Sequence, residues 1–369
     1  MYYSQGLMAF NCLKGDMKRA FVLLFGLVVL ATTFDLKAQD PQFSQFYAAP
    51  LYINPAFTGA SEYTRFGVNY RNQWPNLQSS FETFSFYADH YLPNANSGIG
   101  MIVTTDREGI QGLTSTNIGF SYAYQLKIND NLVFRPGIQY NFVNRNAGFT
   151  NLVFANQIDP ITGAIDPTVT DPSVTGGDLS ISYGDIAVGG LLFSRRLFLG
   201  GSIQHLTEPN QSLIDGDSPL PQRITIHGGY KITLGQGPLR KDLTYTYAER
   251  SFTPVFQYKQ QGEFTQLDIG GYFFLEPISL GIGYRGNPFR QDESILPTGN
   301  VALSTVESLI FTLGVTTNDF NIGYSFDYTI SELGIEAGGA HEFSLSYFLN
   351  FNKPVKVPRD RWRIPCPKN

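Results

Sequence analysis

Between Phe320 and Phe351 the chain alternates. Ile322, Tyr324, Phe326 and Tyr328 are interleaved with Asn321, Gly323, Ser325 and Asp327. After a Gly-containing connection, Phe343, Leu345, Tyr347 and Leu349 are interleaved with Glu342, Ser344 and Ser346. A period of two marks a strand with one apolar and one polar face. Strands of soluble sheets usually run about five or six residues. These run about ten, the length a tilted strand needs to cross a bilayer. Their apolar positions are large and often aromatic, while the opposite ones are small or polar. That suits a lipid-facing exterior around a wet or side-chain-filled interior.

The pattern recurs over 63–70, 81–92, 99–105, 116–127, 132–144, 186–194, 197–205, 223–234, 252–259, 264–275, 278–284 and 303–317. With the two closing runs this predicts an all-β fold, a transmembrane antiparallel outer-membrane β-barrel of about fourteen strands. The connections alternate as well. Those at 129–131, 195–196, 276–277 and 317–319 are tight, and those at 71–80, 145–180, 206–222 and 286–300 are long. In outer-membrane barrels the short side is periplasmic and the long side extracellular. The 145–180 loop is rich in Asp-Pro and Gly turn chemistry, and is expected outside or folded inward as a partial plug.

Composition narrows the class without closing it. The chain is 14% aromatic but only 15% charged, against roughly 25% charged in soluble domains. A mean hydropathy of −0.12 is too low for a bundle of membrane helices. A large soluble all-β protein remains the competing reading from composition alone. The net charge of −5 gives no support for nucleic-acid binding.

One segment, 20–33, is continuously apolar; Met17-Lys18-Arg19 precede it and Ala38 follows at a suitable cleavage point. That describes a secretory signal peptide with Met17 as the better start, and a retained anchor as the other reading. The expected organisation is a signal peptide at 1–38, an extended periplasmic arm at 39–61, the barrel at 62–351 and a basic periplasmic tail at 352–369. Cys12 goes with the signal, which leaves Cys366 alone and forbids an internal disulfide. In the arm, Pro41, Pro50 and Pro55 break any ladder and the aromatics are irregularly spaced. It reads as a segment plugging or lining the barrel floor, or alternatively as a docking arm. The tail carries Arg361, Trp362 and Arg363 among four prolines, and reads equally as a solvated end or a partner-binding one.

No enzyme signature emerges. His90, His205, His227 and His341 fall in no HExxH or other close ligand spacing, and GxSxG is absent. The Asp-rich loop lacks EF-hand spacing. Asp327 and Glu342 face inward by parity, where acids are expected to pair with Arg or Lys across the lumen or to meet lumen water. No catalytic residue, cofactor or metal is assigned.

Four strings carry a resemblance: DPQFSQFYAAPLYINPAFTGA at 40–60, YRNQWP at 70–75, NIGYSFDYTISELG at 321–334 and GAHEFSLSY at 339–347. Together they resemble the PorP/SprF family over essentially the whole chain after the signal. The resemblance implies an outer-membrane barrel of the type IX secretion system, without enzymatic activity, that helps export large adhesin-like proteins of gliding bacteria or holds them at the surface. The implied partners are outer-membrane lipid, a secreted surface protein with a type IX sorting domain, and the secretion apparatus. The family's amino-terminal motif falls on Asp40, Pro41, Gln42, Phe43, Ser44, Gln45, Asn54 and Pro55. Aromatics and Arg are enriched at binding hot spots, so Phe46, Tyr47, Arg361, Trp362 and Arg363 join these as candidate partner-docking residues. A passive channel for small solutes is the alternative function, and an envelope lipid enzyme a more distant one.

Overall fold

A computed structural model describes residues 40–349 apart from 62, 78–79, 110–111, 148–154, 160–161, 167, 170–178, 214–215, 241–246, 288–305, 318 and 332–333. The expected signal peptide, the tail with Arg361, Trp362 and Arg363, and Cys366 lie outside these residues. The strands are β1 (Thr64–Gln73), β2 (Phe81–Leu92), β3 (Ser97–Glu108), β4 (Leu113–Tyr124), β5 (Leu126–Asn129), β6 (Leu132–Ala147), β7 (Leu179–Phe193) and β8 (Leu197–Gln204). They continue as β9 (Arg223–Tyr230), β10 (Ile232–Arg240), β11 (Tyr247–Gln261), β12 (Phe264–Leu275), β13 (Ile278–Gly286), β14 (Val306–Thr316), β15 (Phe320–Thr329) and β16 (Ala340–Leu349).

Except between β4 and β5 and between β9 and β10, consecutive strands pair antiparallel, and β1 pairs with β16 from Thr64↔Leu349 to Gln73↔Ala340, closing the sheet on itself. β4 and β5 run successively along β6, and β9 and β10 along β11, so each couple forms one interrupted stave. The result is a closed fourteen-stranded antiparallel barrel, as the alternation predicts.

Parity decides the two faces. In β4, Ile118, Phe120 and Tyr122 are exposed outward, Phe120 to 60%, while Ser121 and Ala123 are buried inward. In β16, Phe343 and Leu345 point out, and Glu342, Ser344 and Ser346 point in. Closure removes the sheet edges that an isolated strand would expose, and the apolar exterior faces lipid.

Two strands outrun the alternation that announces them. β6 and β7 stay paired as far as Ala147↔Leu179. There the outer positions are polar, and Asn144 Nδ2 donates to Ser180 Oγ (3.1 Å) and Ser182 Oγ (2.9 Å). Backbone pairing continues past the apolar band, so a hydrophobic pattern marks the membrane-embedded part of a strand and not its end.

The connections sort by end. The turns around 93–96, 130–131, 194–196 and 276–277 share one end with the start of β1 and the finish of β16. Most long connections, including 205–222 and 330–339, lie at the other, with the tight turn Gly262-Glu263 as an exception. In outer-membrane barrels with this asymmetry the turn end is the periplasmic one and the loop end the extracellular one. An arginine on the outward face tests whether that face meets lipid. Phe120→Arg is expected to lower the unfolding free energy in lipid by about 2–4 kcal/mol if Phe120 sits near the bilayer midplane; a denaturant titration that finds it neutral would place that face out of lipid.

The lumenal arm as candidate functional site

The segment preceding β1 lies inside the barrel. Its local form follows from its prolines. Pro50 starts the single helical turn Pro50–Ile53, and Pro55 starts the 3-10 turn Pro55–Phe57, where a missing N–H and a fixed φ are tolerated. Asn54 caps the second turn, its Oδ1 accepting from Ala56 N at 2.9 Å. Its Nδ2 reaches the wall, donating to the carbonyls of Gly190 and Gly201 at 3.1 Å each. The arm is a coil of short turns whose backbone groups are satisfied partly by itself and partly by side chains of the wall.

Near the loop end the arm is gripped by buried charge. The Glu342 carboxylate accepts from Ser44 N (2.6 Å) and Gln45 N (3.0 Å). Ser44 Oγ donates to Asp327 Oδ2 at 2.5 Å and accepts from Arg71 at 2.7 Å. Arg71 bridges Asp327 (2.8 Å) and Glu342 (3.3 Å), and Arg285 bridges Asp327 (2.9 Å) and Asp268 (3.1 Å). Five strands, β1, β12, β13, β15 and β16, thus converge on two arm residues. The inward pairing of Asp327 and Glu342 with arginine is one of the two outcomes their parity allows. Arg71 and Arg285 escaped sequence reasoning, although each sits at an inward position near a strand's loop end. Charges so buried persist only when paired and hydrogen-bonded.

At the mouth, Asp40 is held by the loop after β8. His205 Nε2 contacts Asp40 Oδ2 at 2.6 Å and His205 Nδ1 contacts Asp185 Oδ2 at 2.9 Å. Arg223 reaches Asp40 at 2.9 Å. Both ring nitrogens face carboxylates, and a neutral imidazole has only one N–H to offer. Burial by itself would lower the His205 pKa, but the carboxylates of Asp40 and Asp185 outweigh it and push it up to about 9. Burial likewise opposes the Asp40 carboxylate, yet His205 and Arg223 hold it well below the usual range.

The lower half of the lumen is apolar. Phe46, Ile53, Ala56 and Phe57 pack with the inward Val133, Leu191, Phe193, Phe198, Val255 and Tyr272. Tyr47 meets Tyr272 edge to face at 4.8 Å, and Phe57 stacks on His227 at 5.3 Å. Below them Arg135 donates to the carbonyls of Ala56 and Thr58, and Asp89 accepts from Gly59 N at 2.7 Å. At Gly98 and Gly137 the arm backbone comes so close that a Cβ would collide with Thr58 and with Ala56 respectively. Fully burying Phe46, Leu51, Ile53 and Phe57 is worth about 6–12 kcal/mol. A micromolar ligand supplies about 8 kcal/mol. Displacing the arm would therefore consume the binding energy of such a ligand before any charged contact is broken.

The candidate docking residues are distributed accordingly. Phe43, Ser44, Gln45, Phe46, Asn54 and Pro55 are buried in the lumen. Gln42 accepts from Lys259 Nζ at 3.2 Å, the Pro41 carbonyl accepts from the Tyr52 hydroxyl, and Tyr47 lies on Tyr272. The arm is held inside the lumen because its aromatics meet an apolar inner wall and its backbone N–H groups meet buried carboxylates. Of the two readings of 40–60, the plugging one matches its position, although it fills the lumen and not the floor alone. The missed signal was the run Leu191–Phe193 and Leu197–Leu199, apolar at both parities, which requires an apolar partner inside the barrel.

Two outcomes follow. Arg71→Ala leaves Asp327 and Glu342 short of a cation and is expected to cost about 3–5 kcal/mol, read as a lower temperature for the heat-induced shift in gel mobility; an unchanged transition would remove the network from the stability argument. For His205, an imidazole titration by NMR in micelles should have its midpoint near 9, and Asp40→Asn should move it down. A group with a raised folded pKa contributes fully below its unfolded value and loses that contribution as pH rises through the folded one. The stability supplied by this contact is thus expected to fade between about pH 6.5 and about 9, and His205→Gln should flatten that slope.

Comparisons with known proteins place the chain beside several others. The barrel is similar to Omp33 of Acinetobacter baumannii, at 8% identity and a TM-score of 0.38, covering 78% of this chain and 100% of that one. It is similar to the toluene transporter TodX of P. putida, at 11% identity and a TM-score of 0.42, covering 82% and 94%. A Pseudomonas aeruginosa FadL homologue matches at 12% identity and a TM-score of 0.39, covering 81% and 93%. No match was found among curated protein sequences. Residues 35–347 match the family described as type IX secretion system membrane protein PorP/SprF. That span includes the whole arm and all but the last residues of β16, and the chain, an outer-membrane β-barrel, belongs to the PorP/SprF family of type IX secretion components.

Proposed function

We propose that this chain is a non-enzymatic attachment component of type IX secretion, holding a large adhesin-like protein at the cell surface without passing it through its own lumen. The observation that carries this reading is the arm: it occupies the lumen from mouth to base and is tied to strands round the wall. A barrel filled in this way serves as a platform. Its loops face outward, its exterior meets outer-membrane lipid, and its turn end is available to the secretion apparatus. The proposed cargo is a surface protein with a type IX sorting domain, of the kind used in gliding.

Deleting the gene should leave one surface protein absent from the cell surface or released into the medium, with lipid A and phospholipids unchanged. The channel alternative predicts solute-dependent growth defects with surface proteins intact, and steady conductance of the purified barrel in planar bilayers. The full chain is expected to be silent there. A chain that conducts steadily while the cargo stays displayed in its absence would replace the attachment reading with the channel one.

A further inference from the structure

The arm's two ends lie at opposite ends of the barrel. Asp40 N donates to Gln261 Oε1 at 3.2 Å, and its carboxylate meets His205 and Arg223. Gln261 ends β11, Arg223 begins β9 and His205 follows β8, all at the loop end. Gly59, by contrast, donates to Asp89 and lies against Gly98, near the turn end from which β1 departs. Between them Ser44 and Gln45 lie on Glu342, Tyr52 turns back to Gln204 and Arg223 at the loop end, and Asn54 on Gly190 and Gly201 and Thr58 on Ser121 lead down to the base. The arm crosses the lumen once, from the loop end to the turn end.

We infer that the amino-terminal end of the arm opens at the cell surface, so that Asp40–Gln42 can be reached from outside and not from the periplasm. Three observations combine. The Asp40 backbone stands among groups at strand ends that carry extracellular loops. Exposure falls going inward, from 17% for the Asp40 side chain and 13% for His205 to 3% for Arg71 and 0% for Glu342. Beneath that network the apolar packing around Phe46 and Phe57 closes the path from below. A partner on the outer face therefore meets this arm at Asp40 and His205, with the buried Asp185 and Arg223 behind them. A periplasmic partner meets only the arm's last residues, at the base. This topology is independent of which cargo is held. It depends on the barrel's orientation, which the experiment reads separately.

An epitope inserted between Gln39 and Asp40 tests it, with the same epitope placed after Gly163 in a loop and after Asp130 in a turn. Heat-modifiable migration selects the barrels that assemble. On intact cells, antibody should bind the Gly163 and Asp40 tags, and the Asp130 tag only after the outer membrane is permeabilised. Where an inserted tag blocks assembly, Gln42→Cys in a Cys366→Ser background replaces it. Impermeant maleimide should label it on intact cells at least tenfold above Asn131→Cys. An Asp40 tag or a Gln42→Cys thiol that reacts only after permeabilisation overturns the inference. If the Gly163 and Asp130 controls also exchange behaviour, the orientation was at fault; if they do not, the path of the arm was.

Discussion

The structure depends on what fills the inside of the barrel. A closed sheet satisfies its own backbone, but it leaves an inner face that must be hydrated or packed. Here that face is divided. Toward the loop end it carries Arg71, Asp268, Arg285, Asp327 and Glu342, and toward the turn end Val133, Leu191, Phe193, Phe198 and Val255. Neither half is complete without the arm. Ser44 and Gln45 supply the donors that Glu342 accepts from, and Phe46 and Phe57 supply the apolar surface that Phe193 and Phe198 require. An arm removed from this site would leave buried carboxylates with fewer partners and an apolar wall in water, both costly.

The same packing links the two ends of the barrel sequence. Arg71 is on the first strand and Glu342 on the last, and both hold Ser44. The β1–β16 seam is therefore fastened twice, once by its backbone ladder and once through the arm. A protein whose lumen is its core behaves as a solid body, and its function is placed on its rims and loops. The proposed attachment role rests on this filling and not on likeness among barrels, since barrels of one architecture host unrelated functions.

Much of the fold was legible because membrane strands obey a strict period of two. Phe343, Leu345 and Tyr347 against Glu342, Ser344 and Ser346 settle which face is which, and the count of such runs gives the staves. Parity even turns Asp327 and Glu342 inward, where a partner cation or water is expected. It does not say which arginines, because Arg71 and Arg285 are brought together by barrel curvature and not by sequence spacing. The arm was legible only as a proline-broken aromatic stretch. Its residue types fit a plug and also a docking surface, since both demand exposed aromatics until something covers them.

By itself, then, the sequence determined the barrel, its inner and outer faces, its short and long ends and its family. Each is a local property: alternation, turn chemistry or a contiguous motif. The tertiary structure alone decided that the motif at 40–60 is swallowed by the barrel, that it runs from the mouth to the base, and that His205 is clasped between Asp40 and Asp185. Those facts join residues far apart in the chain through closure of the sheet. Until the first strand meets the last there is no lumen, and so no inside for the arm to occupy.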